Sequence, residues 1–235
     1  MSKIKERKAR EYSVRERQLL NIAESFLGQG GNPSWSMDGL IKNSEYSRGT
    51  IYKHFRSKED VVAALYIEKC RNLKSICDSL WGLNLCAFEA LRGLHCIYHL
   101  FCRDHVPARL GFPVPEYYST FEGVSEQRRE HLISILSDPH EQRLAIVGKA
   151  IRDGEVKTTS EHSGVHIELA SSSLCFGVIS LVQNGYHKIV PNLLNQHIQM
   201  ITQLVAGYGW VLPNCISNEQ LVDLVKPIIV GGLDA

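Results

Sequence analysis

No glycine-rich phosphate loop, no His-Glu-x-x-His pair and no nucleophile motif occurs in these 235 residues, so an enzyme is not expected. No apolar run approaches the roughly 18–20 residues that span a bilayer. The basic N-terminus has no apolar stretch of the kind a secretory signal needs, so a cytoplasmic protein without a membrane partner is expected. The seven cysteines are odd in number and sit at no zinc-finger spacing, which argues against a disulfide framework and for reduced thiols. Internal repeats and low-complexity segments are absent as well, and no cofactor is expected.

Net charge is also scarce, at +1, until the chain is divided. Of its 26 basic and 25 acidic residues, 12 and 6 fall within residues 1–58, leaving 14 and 19 beyond. A basic head on an acidic body implies that only the head meets a polyanion. Residues 1–12 read as a basic arm, and Ser13 as the cap of a first helix with Leu19, Ile22, Ala23, Phe26 and Leu27 on its buried stripe. Ser36 caps a short second helix, with Met37, Leu40 and Ile41 as its apolar face.

The third element, Ser47 to Phe55, organises the rest. Ser47 is its cap, and Ile51 and Phe55, four apart, share the inward face. Arg48, Thr50, Tyr52 and Lys53 look outward with donors for phosphates and base edges, and Gly49 permits close approach of a backbone. Phosphate contacts are expected from the arm, Arg15, Arg17, Tyr52, His54 and Lys58, and base readout from Arg48, Thr50 and Lys53. Residues 13–60 thus read as a three-helix DNA-binding domain with a helix-turn-helix, and 61–235 as a helical body.

The runs Ser36-Met37-Asp38-Gly39-Leu40-Ile41-Lys42, Ser47-Arg48-Gly49-Thr50-Ile51-Tyr52-Lys53-His54-Phe55 and Ser57-Lys58-Glu59-Asp60 resemble the DNA-binding domain of the TetR family of bacterial transcriptional regulators. Two departures stand out, Ile41 where that family usually has Ala and Glu45 where it usually has Gly. A Glu in a left-handed turn costs about 1 kcal/mol relative to Gly, so either the turn is reshaped or it carries that strain. The resemblance implies an all-α regulator that binds a palindromic operator as a homodimer. It also implies a small-molecule effector in the body that releases the DNA.

In the body, helices are expected over about 57–81, 84–105, 125 to Pro139, on to Asp153, 161–184, 191–210 and 217–229, with a loop at 107–115. The pair 161–184 and 191–210 is more apolar than one helix face needs. Ser171, Leu174, Gly177, Val178, Leu181, His197, Met200, Ile201, Leu204 and Tyr208 are therefore expected at the dimer interface, which the resemblance implies is a four-helix bundle. Trp81, His95, Tyr98, His99, Phe101, Cys102, Phe112, Tyr117 and Phe176 are candidates for lining an effector pocket. His95, His99 and Cys102 also fall on one helical face, a spacing that could hold zinc or copper. The same residues could equally be plain core, and no metal is expected. A different reading keeps the DNA-binding head and makes the body a protein-interaction or architectural module without a pocket.

Overall fold

The computed structural model describes residues 3–28, 35–107, 110, 122–135, 138–157, 164–211 and 215–233. Among them the protein is all-α, with a single antiparallel bridge between Val156 and Trp210. The chain forms two compact units, one of residues 1–68 with 107–134 and one of residues 69–106 with 135–235.

In the first unit, α1 spans Lys3–Gly28, α2 Met37–Lys42 and α3 Arg48–His54, and α4 spans Lys58–Ser79, its residues past Glu68 counting with the second unit. The basic segment is helical from Lys3 onward, so Ser13 lies inside α1 and is not its cap. Lys, Arg and Glu are good helix formers, and Glu11 pairs with Arg7 at 3.5 Å and Arg15 at 3.7 Å across single turns. Leu19, Ala23 and Leu27 are buried as expected, against a core that includes Leu40, Ile51, Phe55, Val61 and Leu65. The turn before α3 is reshaped and carries no left-handed residue: among the described non-glycine residues only Asn192 has a positive φ. Asn43 Nδ2 donates to Gly39 O at 2.9 Å, and Ser44 Oγ accepts from Tyr46 N at 3.3 Å, so side chains do what a glycine would have done.

The helix Glu126–Ser134, α6, belongs to this unit as well. Arg128 carries it, donating to Asp60 at 2.7 Å and to Glu16 at 2.8 Å with its guanidinium 4.9 Å from the Phe55 ring. Ser57 caps α4 through Asp60 N at 3.1 Å. The Asp60 carboxylate does not return to Ser57; it accepts from Arg56 N and Ser125 N instead, so only half of a capping box forms.

The second unit is built around α5, Ala87–Asp104, which is buried over nearly its whole circumference. It packs against α7 (Asp138–Arg152), α8 (Gly164–Gln183), α9 (Leu193–Gly207) and α10 (Asn218–Leu233). Its start falls three residues later than Asn84. Cys86 Sγ accepts from Glu89 N at 3.4 Å while Glu89 accepts from Cys86 N at 3.2 Å, a reciprocal cap with a thiol in the serine place. Glu155 completes this end by accepting from Ala87 N at 2.9 Å, Phe88 N at 3.0 Å and Trp210 Nε1 at 3.1 Å, which satisfies two orphan helix donors with a carboxylate. Pro139 begins α7 instead of ending a helix, because a proline in the first turn lacks a donor the helix could not have paired. Gly154 stops α7 with φ 75°.

The expectation that no segment could span a bilayer needs correction on length and composition: Gly164–Gln183 runs 20 residues at a mean hydropathy of 1.7. In this fold it is a core helix, with Ile167, Glu168, Ser171, Ser172, Cys175 and Ile179 all buried.

Candidate functional site

The outward face of α3 is fixed from both ends. Ser47 accepts from Thr50 N at 3.2 Å and Ser36 caps α2 through Gly39 N at 3.2 Å. With Ile51 and Phe55 wholly buried beneath it, the helix presents Arg48, Gly49, Tyr52 and Lys53 to solvent, and Thr50 partly so. Arg48 is held at 2.5 Å by Asp38 of α2, a partner that sequence spacing did not suggest. A Cβ placed on Gly49 would meet nothing within 4 Å, so the chain's own packing does not require glycine there. Lys58 lies with its ammonium 5.2 Å from the Trp35 ring, a cation–π contact that leaves the charge at the surface of the domain. Arg15 and Arg17 are exposed on α1.

His54 is a correction. Its ring is buried, stacked on Tyr12 at 3.9 Å between centroids, with Nδ1 3.5 Å from Glu16 Oε2. A residue three beyond Ile51 shares the inward side, and the N-terminal extension of α1 supplies Tyr12 to cover it. It cannot reach a phosphate from there.

In the body, the imidazoles on α5 do come together, but with partners from other helices. His95 Nδ1 lies 2.9 Å from His197 Nε2, His95 Nε2 lies 2.9 Å from Ser171 Oγ, and His197 Nδ1 lies 3.3 Å from His99 Nδ1. The result is a chain, Ser171–His95–His197–His99, crossing α8, α5 and α9. Burial in apolar surroundings disfavours the imidazolium and lowers all three. Burial, then His197 and Arg143, set His95 well below its ordinary value; His99 falls to about 4 and His197 to about 3. All three are neutral donors and acceptors at physiological pH.

Cys102 is buried on α5, but the thiol within reach of this cluster is Cys175 of α8, whose ligand atom and those of His95 and His197 lie within 4.8 Å of one another. Burial pushes the Cys175 thiol up to about 11. A second buried cluster went unforeseen. Arg143 of α7 donates to Glu168 at 3.2 Å and to Ser172 Oγ at 2.7 Å, with its guanidinium 5.8 Å from the Tyr98 ring and 5.6 Å from Phe176. His140 Nδ1 meets the other Glu168 oxygen at 2.8 Å.

Of the pocket candidates, Tyr98 and Phe101 are buried core, while Trp81 and Phe176 are substantially exposed. Phe112 and Tyr117 lie outside the described residues. Trp81 borders a void of about 10 Å³ with Cys77, Leu80 and Leu94, room for a water at most. His99 reaches an open groove of about 490 Å³, which Arg103, His187, Asn195, Asp223 and Lys226 also line.

Of the residues expected at a subunit interface, Ser171, Val178, His197 and Ile201 turn inward and belong to this chain's own core. Gly177 and Leu181 are exposed, and Leu174, Met200, Leu204 and Tyr208 are half-buried, beside exposed Val165, Leu169 and Phe176. Periodicity showed that both faces of these helices were apolar but could not say which face met α5.

Residues 19–65 match the family model described as bacterial regulatory proteins, tetR family. No curated protein matches the chain. Among solved structures, a protein of unknown function from Rhodococcus sp. RHA1 is similar at TM-score 0.63 and 20% identity, covering 83% of this chain and 95% of its own. The transcriptional regulator FadR of Bacillus subtilis, solved with stearoyl-CoA, is similar at TM-score 0.62 and 19% identity over 81% and 98%. The ketosteroid transcriptional regulator KstR2 of Mycobacterium tuberculosis follows at 0.61 and 14% over 83% and 95%. At these identities the structural likenesses establish a shared fold. Residues 19–65 therefore match the tetR family's model for its helix-turn-helix, and the chain as a whole shares the fold of these solved regulators.

Proposed function

We propose that the protein is a repressor that binds a palindromic operator as a homodimer and is released by a small-molecule effector held in its body. The observation that carries the DNA half is α3. Its outward residues are polar and cationic, its inward residues are fully buried, and Gly49 sits on the outward side with no internal reason to be glycine. In this reading Arg48, Thr50 and Lys53 read base edges, and Arg15, Arg17, Tyr52 and Lys58 hold phosphates. Ser36 and Ser47 cap the two helices at their N-termini, where DNA would be met. Arg48 first exchanges Asp38 for a base, which makes its release part of recognition. Dimerisation through Leu174, Gly177, Leu181, Met200, Leu204 and Tyr208 sets the two heads one helical turn, or a multiple of it, apart. The protein then works in the bacterial cytoplasm, on the nucleoid when bound.

Gly49→Ala separates the roles. We expect thermal stability unchanged or raised by up to about 1 kcal/mol, since alanine is the better helix former. Duplex affinity, measured by fluorescence anisotropy, should fall at least about tenfold, because the added methyl stands where the backbone meets DNA. Equal affinity for both proteins would remove α3 from the interface.

The effector reading draws on the similar folds of FadR, solved with stearoyl-CoA, and of the ketosteroid regulator KstR2. An elongated, largely apolar effector is the corresponding expectation here. Long-chain acyl-CoA or a ketosteroid added to the protein–operator complex should lower anisotropy and raise the melting temperature of the free protein. The second reading, a body that serves as an interaction module, is favoured by the close packing around Cys77, Leu80 and Leu94. If neither ligand class shifts melting or binding, that reading replaces the effector.

A further inference from the structure

We propose that His95, His197 and Cys175 form a three-coordinate site for a soft monovalent cation, copper(I). The inference goes beyond the effector reading and does not rest on it. The donors come from three helices, α5, α9 and α8, and all three residues are buried. Two imidazoles and a thiol are a donor set that selects copper(I) or zinc over hard cations.

Two features favour copper(I). Zinc is almost always four-coordinate in structural sites, whereas the group here supplies three donors among the described residues. Charge points the same way. Copper(I), one thiolate and two neutral imidazoles sum to zero, while a divalent ion would leave a positive charge buried without a counterion. Glu168, the buried carboxylate on the same helix, is already engaged by Arg143 and His140.

The surroundings have the form of an outer shell. A ligating imidazole needs a partner for its other nitrogen, and such partners fix the tautomer. His95 Nδ1 and His197 Nε2 already face each other, and their far nitrogens already have partners. His95 Nε2 has Ser171 Oγ at 2.9 Å and His197 Nδ1 has His99 Nδ1 at 3.3 Å. With protons on those two far nitrogens, both inner nitrogens offer lone pairs to one ion. The inner nitrogens then part by roughly half an ångström to accept metal–nitrogen bonds of about 2.0 Å. On uptake the Cys175 S–H bond breaks, its proton leaves to solvent and a sulfur–copper bond forms; the imidazoles exchange tautomers and lose no proton, and copper does not change oxidation state. His99, the partner of His197, also borders the open groove.

The test is anaerobic titration of the reduced full-length protein with copper(I) against bathocuproine disulfonate, with X-ray absorption on the loaded sample. One copper(I) per chain, bound by one sulfur and two nitrogens, is expected. Cys175→Ser, a near-isosteric change, should weaken binding at least about 100-fold with the circular dichroism spectrum retained, and Ser171→Ala about tenfold. Cys215→Ser should leave binding unchanged. The assignment is overturned by no uptake, by a sulfur-only shell, by a Cys175→Ser protein that binds as tightly as wild type, or by tighter uptake of zinc(II) than of copper(I).

Discussion

Taking the pH from about 7.5 to about 5 is expected to lower the unfolding free energy steeply, with most of the loss below about 6.5. The sign follows from the three buried imidazoles. In the unfolded chain each takes a proton near 6.5. In the fold, burial holds His99 down to about 4, His197 to about 3 and His95 well below its ordinary value. Above 7.5 both states carry them neutral, and these groups add no pH dependence. Below 6.5 the unfolded chain binds protons that the folded chain refuses, so stability falls with pH until the folded values are reached. Each histidine contributes at most about 1.4 kcal/mol per pH unit in that window. Asp104, lowered mainly by its bond to Arg103, acts at more acid pH and leaves the window clear. Urea midpoints at about pH 7.5, 6.5 and 5.5 check this, and His197→Gln should flatten the curve. A wild-type midpoint that stays level over this range would mean the histidines are not buried neutral.

Arg143→Ala is expected to destabilise the body by about 3–5 kcal/mol, read from urea unfolding. The guanidinium and Glu168 are both almost wholly removed from water and face each other at 3.2 Å. Deleting the cation strands a buried carboxylate with His140 and Ser172 as its remaining partners among the described residues. Replacing both partners, Arg143→Met with Glu168→Leu, removes the stranded charge and should recover much of the loss. A single-variant cost under about 1 kcal/mol would show that water reaches Glu168.

The contrast between head and body explains what could be read from the chain. Helix caps at Ser36 and Ser47, the Ile51–Phe55 inward pair and the outward cations of α3 are local patterns, set within a few residues, and all appear in the structure. The errors in the head came from more distant partners. His54 looked outward until Tyr12, 42 positions earlier, covered it, which required α1 to begin at Lys3. In the body the histidines of α5 were visible as a face, but their partners His197 and Cys175 lie on α9 and α8, and periodicity carries no information about which helices meet. The same limit hid Arg143–Glu168. It also misassigned His197, Ser171, Val178 and Ile201, because helices apolar on two sides do not announce which side is inward.

The most direct test of the central claim is binding of the intact protein to a library of random duplexes at low ionic strength, followed by sedimentation of the selected complex. The account predicts two chains on one inverted-repeat duplex, with affinity falling steeply as salt rises. A protein that ignores every duplex, or that stays a single chain on the duplex it selects, would contradict it.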